Sequence, residues 1–183
     1  MHLLRDPLPR PAGGPVVTLV IGLGHPDRGD DAVGPVVTGL LTPQAPPGVE
    51  MLEREDPMDL VLHWGGQPWV VVIDAVVSGA RPGTVTVTEI AEDGCGARDW
   101  SRLALGGTHA FGLGEAVELS RTLGRLPARL TLVGVEAGDV AEGRGLTAAV
   151  AAAVPEAVAL VRRLLVSDAT EVGRESRAVD VPR

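Results

Sequence analysis

Three uninterrupted apolar runs, each rich in β-branched residues, constrain the fold of this chain more than any other feature. They are "VVTLVIGL" (16–23), "PWVVVIDAV" (68–76) and "RLTLVGVE" (129–136). Runs without polar alternation are typical of strands that are buried on both faces of a parallel sheet. Each run is far shorter than the roughly 20 apolar residues that a bilayer-spanning helix needs. The sequence therefore predicts a sheet that is covered by helices on both sides.

Weaker patterns fill the intervals between these runs. Further strands are predicted at 48–54 and 83–90, and the second is expected to be antiparallel or at an edge because it alternates after a turn signal. One helix is predicted at 32–41, and a second begins after an N-cap at Asp56, with Pro57 at its first position. Two more helices are predicted at 113–124 and at 146–166, the last with a kink or break at Pro155. This alternation predicts a three-layer α/β sandwich, phosphorylase/hydrolase-like, with a twisted, mostly parallel central sheet flanked by helices.

The length of 183 residues suits one domain with a full hydrophobic core. We expect a flexible N-terminal lead-in at 1–15, a single α/β domain at 16–166, and a disordered polar tail at 167–183.

Composition narrows the possible partners. The net charge is −8 and every basic residue is an arginine, so a general nucleic-acid-binding face is not expected. A single cysteine, Cys95, excludes an internal disulfide and any multi-cysteine metal site, and its surroundings suggest no catalytic role. The proline-rich start does not resemble a secretory signal, and no membrane segment is predicted. These features predict a cytoplasmic protein.

Chemically useful side chains follow the predicted strands at three places. Asp30 and Asp31 come after the first run, Asp74 ends the second, and His109 precedes a predicted helix. In open α/β sheets, functional groups gather beyond the carboxyl ends of the strands. Two carboxylates and one imidazole form a plausible metal-binding set with open coordination positions. Alone, each has an ordinary explanation: Asp30 as a helix N-cap, Asp74 in a salt bridge, and His109 as a loop histidine.

A phosphate-binding turn is the alternative for "GLGHPDRGDDAVGP" (22–35). Gly22, Gly24 and Gly29 do not have the spacing of a dinucleotide-binding turn, and no Gly-Lys-Ser/Thr ending is present. Two carboxylates would also repel the phosphates. The turn is therefore predicted to present carboxylates.

Four segments in series resemble the hydrogenase maturation proteases, which trim the large subunit of nickel–iron hydrogenases. They are "VIGLGHPDRGDDAVGPVV", "VVVIDAVVSGARPGTV", "THAFGLGEAVELSRTLGRLP" and "LTLVGVEAGDVAEGRGLTAAVAAAVP". The resemblance covers roughly residues 16–165. It implies an endopeptidase that removes a C-terminal extension from a large-subunit precursor after nickel insertion. It also implies that nickel is carried by the substrate, with no organic cofactor, and we expect a monomer.

The matching motifs assign both the catalytic and the metal-binding role to Asp31, Asp74 and His109, acting through metal engagement. This chain departs from the family pattern at three places: Asp31 stands where glutamate is common, His25 follows Gly24 where asparagine is usual, and "EREDPMD" stands where many members have a glycine-rich loop. Two alternatives remain at this level. One is a nickel-binding maturation chaperone that leaves the precursor uncut. The other is a hydrolase similar to peptidyl-tRNA hydrolases, which share a similar glycine-rich turn.

Overall fold

The computed structural model describes residues 18–91, 108–143 and 145–178, without the side chains of residues 91, 108–111 and 168–178. Its strands are β1 (Thr18–Leu23), β2 (Val49–Arg54), β3 (Trp69–Val76), β4 (Val85–Ala91) and β5 (Arg129–Glu136). Its helices are α1 (Val33–Leu41), α2 (Leu60–His63), α3 (Thr108–Thr122) and α4 (Ala148–Ala178), and short 3₁₀ turns precede α1 and α2.

The strands form one sheet in the order β2-β1-β3-β5-β4. All neighbouring pairs are parallel except β4 and β5, which are antiparallel. The three continuous apolar runs are the three interior strands, and the two weaker patterns are the edge strands. The prediction of an antiparallel or edge strand at 83–90 is confirmed, because β4 is both.

Helices cover both faces of the sheet and complete the predicted three-layer α/β fold. Helices α2 and α3 pack on one face, where Leu60 and Val117 join Ile21 and Val72 in one core cluster. Helices α1 and α4 pack on the other face in a second cluster. Its members include Val20, Val37, Val71, Val133 and Val161. Alternate residues of the interior strands serve the two clusters, which explains why their sequences show no polar alternation.

Helix α1 lies unusually close to the sheet at Gly34. A Cβ atom on Gly34 would overlap with the backbone carbonyl oxygens of Leu23 and Ile73. Those two residues belong to neighbouring strands, β1 and β3. Helix α1 is therefore seated over both strands near their carboxyl ends.

We expect Gly34→Ala to destabilise the protein by about 3 kcal/mol, because rigid backbone atoms must move to admit a methyl group. The matched control is Gly39→Ala on the same helix, where an added Cβ meets only the Glu53 side chain, at 3.8 Å. That change is expected to stabilise the helix by roughly 0.5–1 kcal/mol. Urea unfolding of both variants measures the difference. Equal stabilities for the two variants would contradict the close packing of α1.

Two helices differ from their predicted bounds. Helix α4 runs through Pro155 and on to Ala178, so the predicted break and the predicted end at residue 166 are wrong, whereas the predicted kink stays a prediction. Pro155 is exposed, so its ring faces solvent and water can bind the carbonyl that loses its amide donor. Helix α3 begins at Thr108 rather than at residue 113. None of the described helices combines the length and apolar character that a membrane crossing requires.

The division of the chain into lead-in, domain and tail stays a prediction. The predicted lead-in at 1–15 and most of the predicted loop at 91–107 lie outside the described residues. Cys95 belongs to that loop, so its predicted lack of a catalytic role stays a prediction as well.

Candidate active site

The sheet has a topological switch point between β1 and β3. From β1 the chain passes through α1 to β2 on one side, and it returns through α2 to β3 on the other side of β1. The two connections lie on opposite faces of the sheet, and ligands of open α/β sheets bind beyond the carboxyl ends of the strands at such a switch point. The turn after β1 and the end of β3 both lie at this switch point, as the strand order requires.

Asp31 lies in the 3₁₀ turn Gly29–Ala32, which follows β1 and contacts β3. Its side chain is only 6% exposed, and its Oδ2 accepts the backbone N–H of His25 at 2.9 Å. Gly24 (φ 128°) packs so closely beneath it that a Cβ there would overlap with the Asp31 carbonyl oxygen. The carboxylate is therefore held close to the carboxyl end of β1.

Asp74 lies near the carboxyl end of β3, opposite Gly134 of β5, and is 1% exposed. Strand alternation directs it to the same face as Val72 and Val76, the face that α2 and α3 cover. An ionised carboxylate is costly among aliphatic side chains unless a partner compensates its charge. The burial of Asp74 therefore favours a functional or strongly paired group over a solvated one.

His109 lies in the first turn of α3, the helix that covers the face of Asp74, but its side chain is outside the described residues. The structure thus brings the turn of Asp31 against the strand of Asp74. Among the side chains described, no group of three His, Cys, Asp or Glu residues is arranged to hold a metal ion. The ligand set of Asp31, Asp74 and His109 stays a prediction.

Asp30 does not cap α1, so that prediction is wrong. Neither the 3₁₀ turn nor α1 has a side-chain cap at its N-terminus. Asp30 is 0% exposed. It accepts hydrogen bonds from the loop between β5 and α4, namely from Gly138, Asp139 and Thr147.

Glu136 is a fourth buried carboxylate at this edge, after Asp30, Asp31 and Asp74, and the sequence analysis did not single it out. It is 3% exposed at the end of β5. Its oxygens accept the backbone N–H groups of Ser78 and Gly79 and the Ser78 hydroxyl, at 2.7–3.1 Å. Glu136 therefore orders the loop that follows Val76, at the end of β3. No local pattern indicates this, because its donors lie 57 and 58 residues away in sequence.

The segment after β2 is attached to the same edge of the sheet. Asp56 caps the following 3₁₀ turn by accepting the Met58 N–H at 2.8 Å, which confirms the predicted N-cap. The Arg54 carbonyl accepts the N–H of Gly24 at 2.9 Å, so this segment is attached to the turn that precedes Asp31.

Comparison with models of known protein families identifies the family of this chain. A family model described as hydrogenase maturation protease matches residues 55–164. The chain belongs to the hydrogenase maturation protease family. Its relatives are endopeptidases, so this member of the family is a proteolytic enzyme. The match does not support a non-proteolytic chaperone or a peptidyl-tRNA hydrolase.

Solved structures agree with this assignment. The hydrogenase maturating endopeptidase HybD of E. coli has 27% identity and a TM-score of 0.70, with 82% of this chain and 93% of that chain covered. HybD, a [NiFe] hydrogenase maturation protease of Thermococcus kodakarensis, has 26% identity and a TM-score of 0.63, with 80% and 97% covered. No curated protein sequence gives a significant match. The shared architecture extends across nearly the whole length of both relatives.

Proposed function

We propose that this protease removes the C-terminal extension from a nickel-loaded [NiFe]-hydrogenase large-subunit precursor. The observation that carries the proposal is a pair of buried carboxylates, Asp31 and Asp74. They belong to a turn and a strand that contact each other at the switch point of the sheet. Protease family membership and the [NiFe] hydrogenase maturation protease among the structural relatives support it.

In this proposal, the nickel is part of the substrate. Asp31 and Asp74 supply oxygen donors and His109 supplies an imidazole nitrogen. Three protein ligands leave coordination positions for the precursor's own ligands or for water. The chain itself then needs no resident metal and no organic cofactor. Because the protein ligands contact the nickel, the precursor is held with its extension next to the carboxyl edge of the sheet.

Peptide hydrolysis at this edge requires water to add to the scissile carbonyl carbon, with the hydroxyl retained on the new carboxylate and a proton transferred to the leaving amine. Nickel carried by the precursor would supply the Lewis acid that polarises the carbonyl or an attacking water. The protein groups orient the segment so that the reacting atoms are already close, which removes much of the entropic cost. No serine, threonine or cysteine nucleophile is required. We place the reaction in the cytoplasm and treat the enzyme as a monomer.

The test compares nickel-loaded precursor with the same precursor prepared without nickel. We expect the enzyme to cut only the loaded form, because the apo form lacks the group that Asp31 and Asp74 bind. Mass spectrometry of the large subunit measures the loss of the extension. Equal cleavage of the two forms would contradict recognition through nickel. Binding of the loaded precursor without any cleavage would instead support the chaperone alternative.

A further inference from the structure

We infer that Asp30 is a positioning residue for the reaction: through the loop between β5 and α4, residues 137–147, it fixes the turn that presents Asp31. The inference rests on the proposed function of Asp31. Asp30 itself touches neither substrate nor metal in this scheme. It acts on its neighbour through the geometry of the shared turn.

The first observation is the hydrogen bonding of the Asp30 carboxylate. Its Oδ2 accepts the N–H groups of Gly138 (2.7 Å) and Asp139 (3.0 Å) and the hydroxyl of Thr147 (3.0 Å). Its Oδ1 accepts the Thr147 N–H at 2.6 Å. The four bonds engage both carboxylate oxygens, three of them at Oδ2 and one at Oδ1. Both oxygens of Asp30 therefore hold the loop.

The second observation is that backbone bonds on both sides of the turn reinforce the same attachment. The Asp30 N–H donates to the Asp139 carbonyl at 2.8 Å, and the Gly143 N–H donates to the Asp27 carbonyl at 2.9 Å. The Thr147 hydroxyl also accepts the Val150 N–H at 3.5 Å, in the first turn of α4. One buried carboxylate thus connects the turn after β1, the end of β5 and the start of α4.

The third observation concerns what else could hold the turn. Neither the 3₁₀ turn nor α1 has a side-chain N-cap, so helix capping does not orient it. Asp31 follows Asp30 directly, and its carboxylate has a described bond to the backbone of His25. A small rotation of the turn therefore moves the Asp31 carboxylate relative to β3. The Asp30 contacts resist that rotation.

The decisive variant is Asp30→Asn, which preserves shape. In either orientation of the new amide side chain, its NH2 end faces an N–H or O–H donor that had bound a carboxylate oxygen. At least one contact therefore becomes repulsive. We expect kcat/KM on nickel-loaded precursor to fall on the order of 10-fold to 100-fold, as for groups that orient a metal ligand. Thr147→Val removes only the hydroxyl bond and is expected to reduce kcat/KM partially. Thr147→Ser restores the hydroxyl and is expected to restore kcat/KM.

Thr131→Val is the stability control. It breaks a buried bond from Trp69 Nε1 to Thr131 Oγ1 (2.9 Å) near the amino ends of β3 and β5, at the opposite edge of the sheet. The loss of this bond is expected to lower stability with kcat/KM unchanged. Full kcat/KM in both Asp30→Asn and Thr147→Val would overturn the inference. A loss of kcat/KM in Thr131→Val as large as the loss in those two variants would also overturn it. If Asp30→Asn does not fold, the Thr147 pair decides.

A second readout does not depend on cleavage. The backbone amide of His25 donates to Asp31, so its hydrogen exchange reports where that carboxylate lies. We expect exchange to rise roughly tenfold in Asp30→Asn and Thr147→Val, and to stay unchanged in Thr131→Val. Unchanged His25 protection in the first two variants would overturn the inference. If wild-type enzyme cuts no precursor while His25 responds as expected, the proposed function fails and the positioning role stands.

Discussion

Asp31→Ala is expected to reduce processing of nickel-loaded precursor by at least about 100-fold while the protein remains folded. The reason is that a site with three protein ligands cannot lose a charged donor and still hold the precursor's nickel. Asp31→Asn should fail as well, because it keeps the shape but removes the charge. Asp31→Glu should retain processing, since the resemblance to the family implies glutamate at this position in many members.

The matched control is Asp27→Ala in the same turn. Asp27 is exposed, and its described contacts use its backbone rather than its carboxylate. Its replacement should leave processing and thermal unfolding nearly unchanged. Cleavage is followed by mass spectrometry, and folding by circular dichroism. A folded Asp31→Ala protein that processes precursor at the wild-type rate would remove Asp31 from the site.

Asp74→Asn is expected to abolish processing to a similar degree without loss of the fold. Asp74 is almost fully buried at the carboxyl end of β3, where the amide preserves the volume of the side chain. We therefore expect the protein to remain folded at the assay temperature while activity disappears. This combination is typical of a residue that is kept for function.

Glu136→Gln provides the opposite case on the neighbouring strand. The Glu136 carboxylate is also buried, and it accepts hydrogen bonds from Ser78 and Gly79. Its loss is expected to cost about 1.5–3 kcal/mol of stability, because bonds to a charged acceptor are stronger than neutral ones. Processing should persist at temperatures where the protein is folded. If Asp74→Asn proved the destabilising change and Glu136→Gln the inactivating one, the two carboxylates would have exchanged roles.

The strands could be predicted from the sequence because their signal is local. Continuous apolar runs such as 68–76 require burial on both faces, and this requirement holds whatever the rest of the chain does. The same is true of Asp56, whose cap uses a donor two residues away. The strand ends in turn predicted which carboxylates reach one edge of the sheet. The ends of helices were harder to predict where helix propensity and tertiary packing act in opposite directions. Pro155 is an example, because proline disfavours a helix interior but the exposed side of α4 accommodates it.

The sequence by itself therefore determined the interior strands, the α/β class and the edge at which Asp31 and Asp74 lie. Only the tertiary structure decided the role of Asp30. Its donors come 108 to 117 residues later in the chain, so no local pattern distinguishes it from a helix cap. Adjacent aspartates have the same chemistry, and the loop that folds over one of them makes it structural. The physical reason is that a carboxylate's role depends on which donors surround it, and here the packing of distant segments supplies those donors.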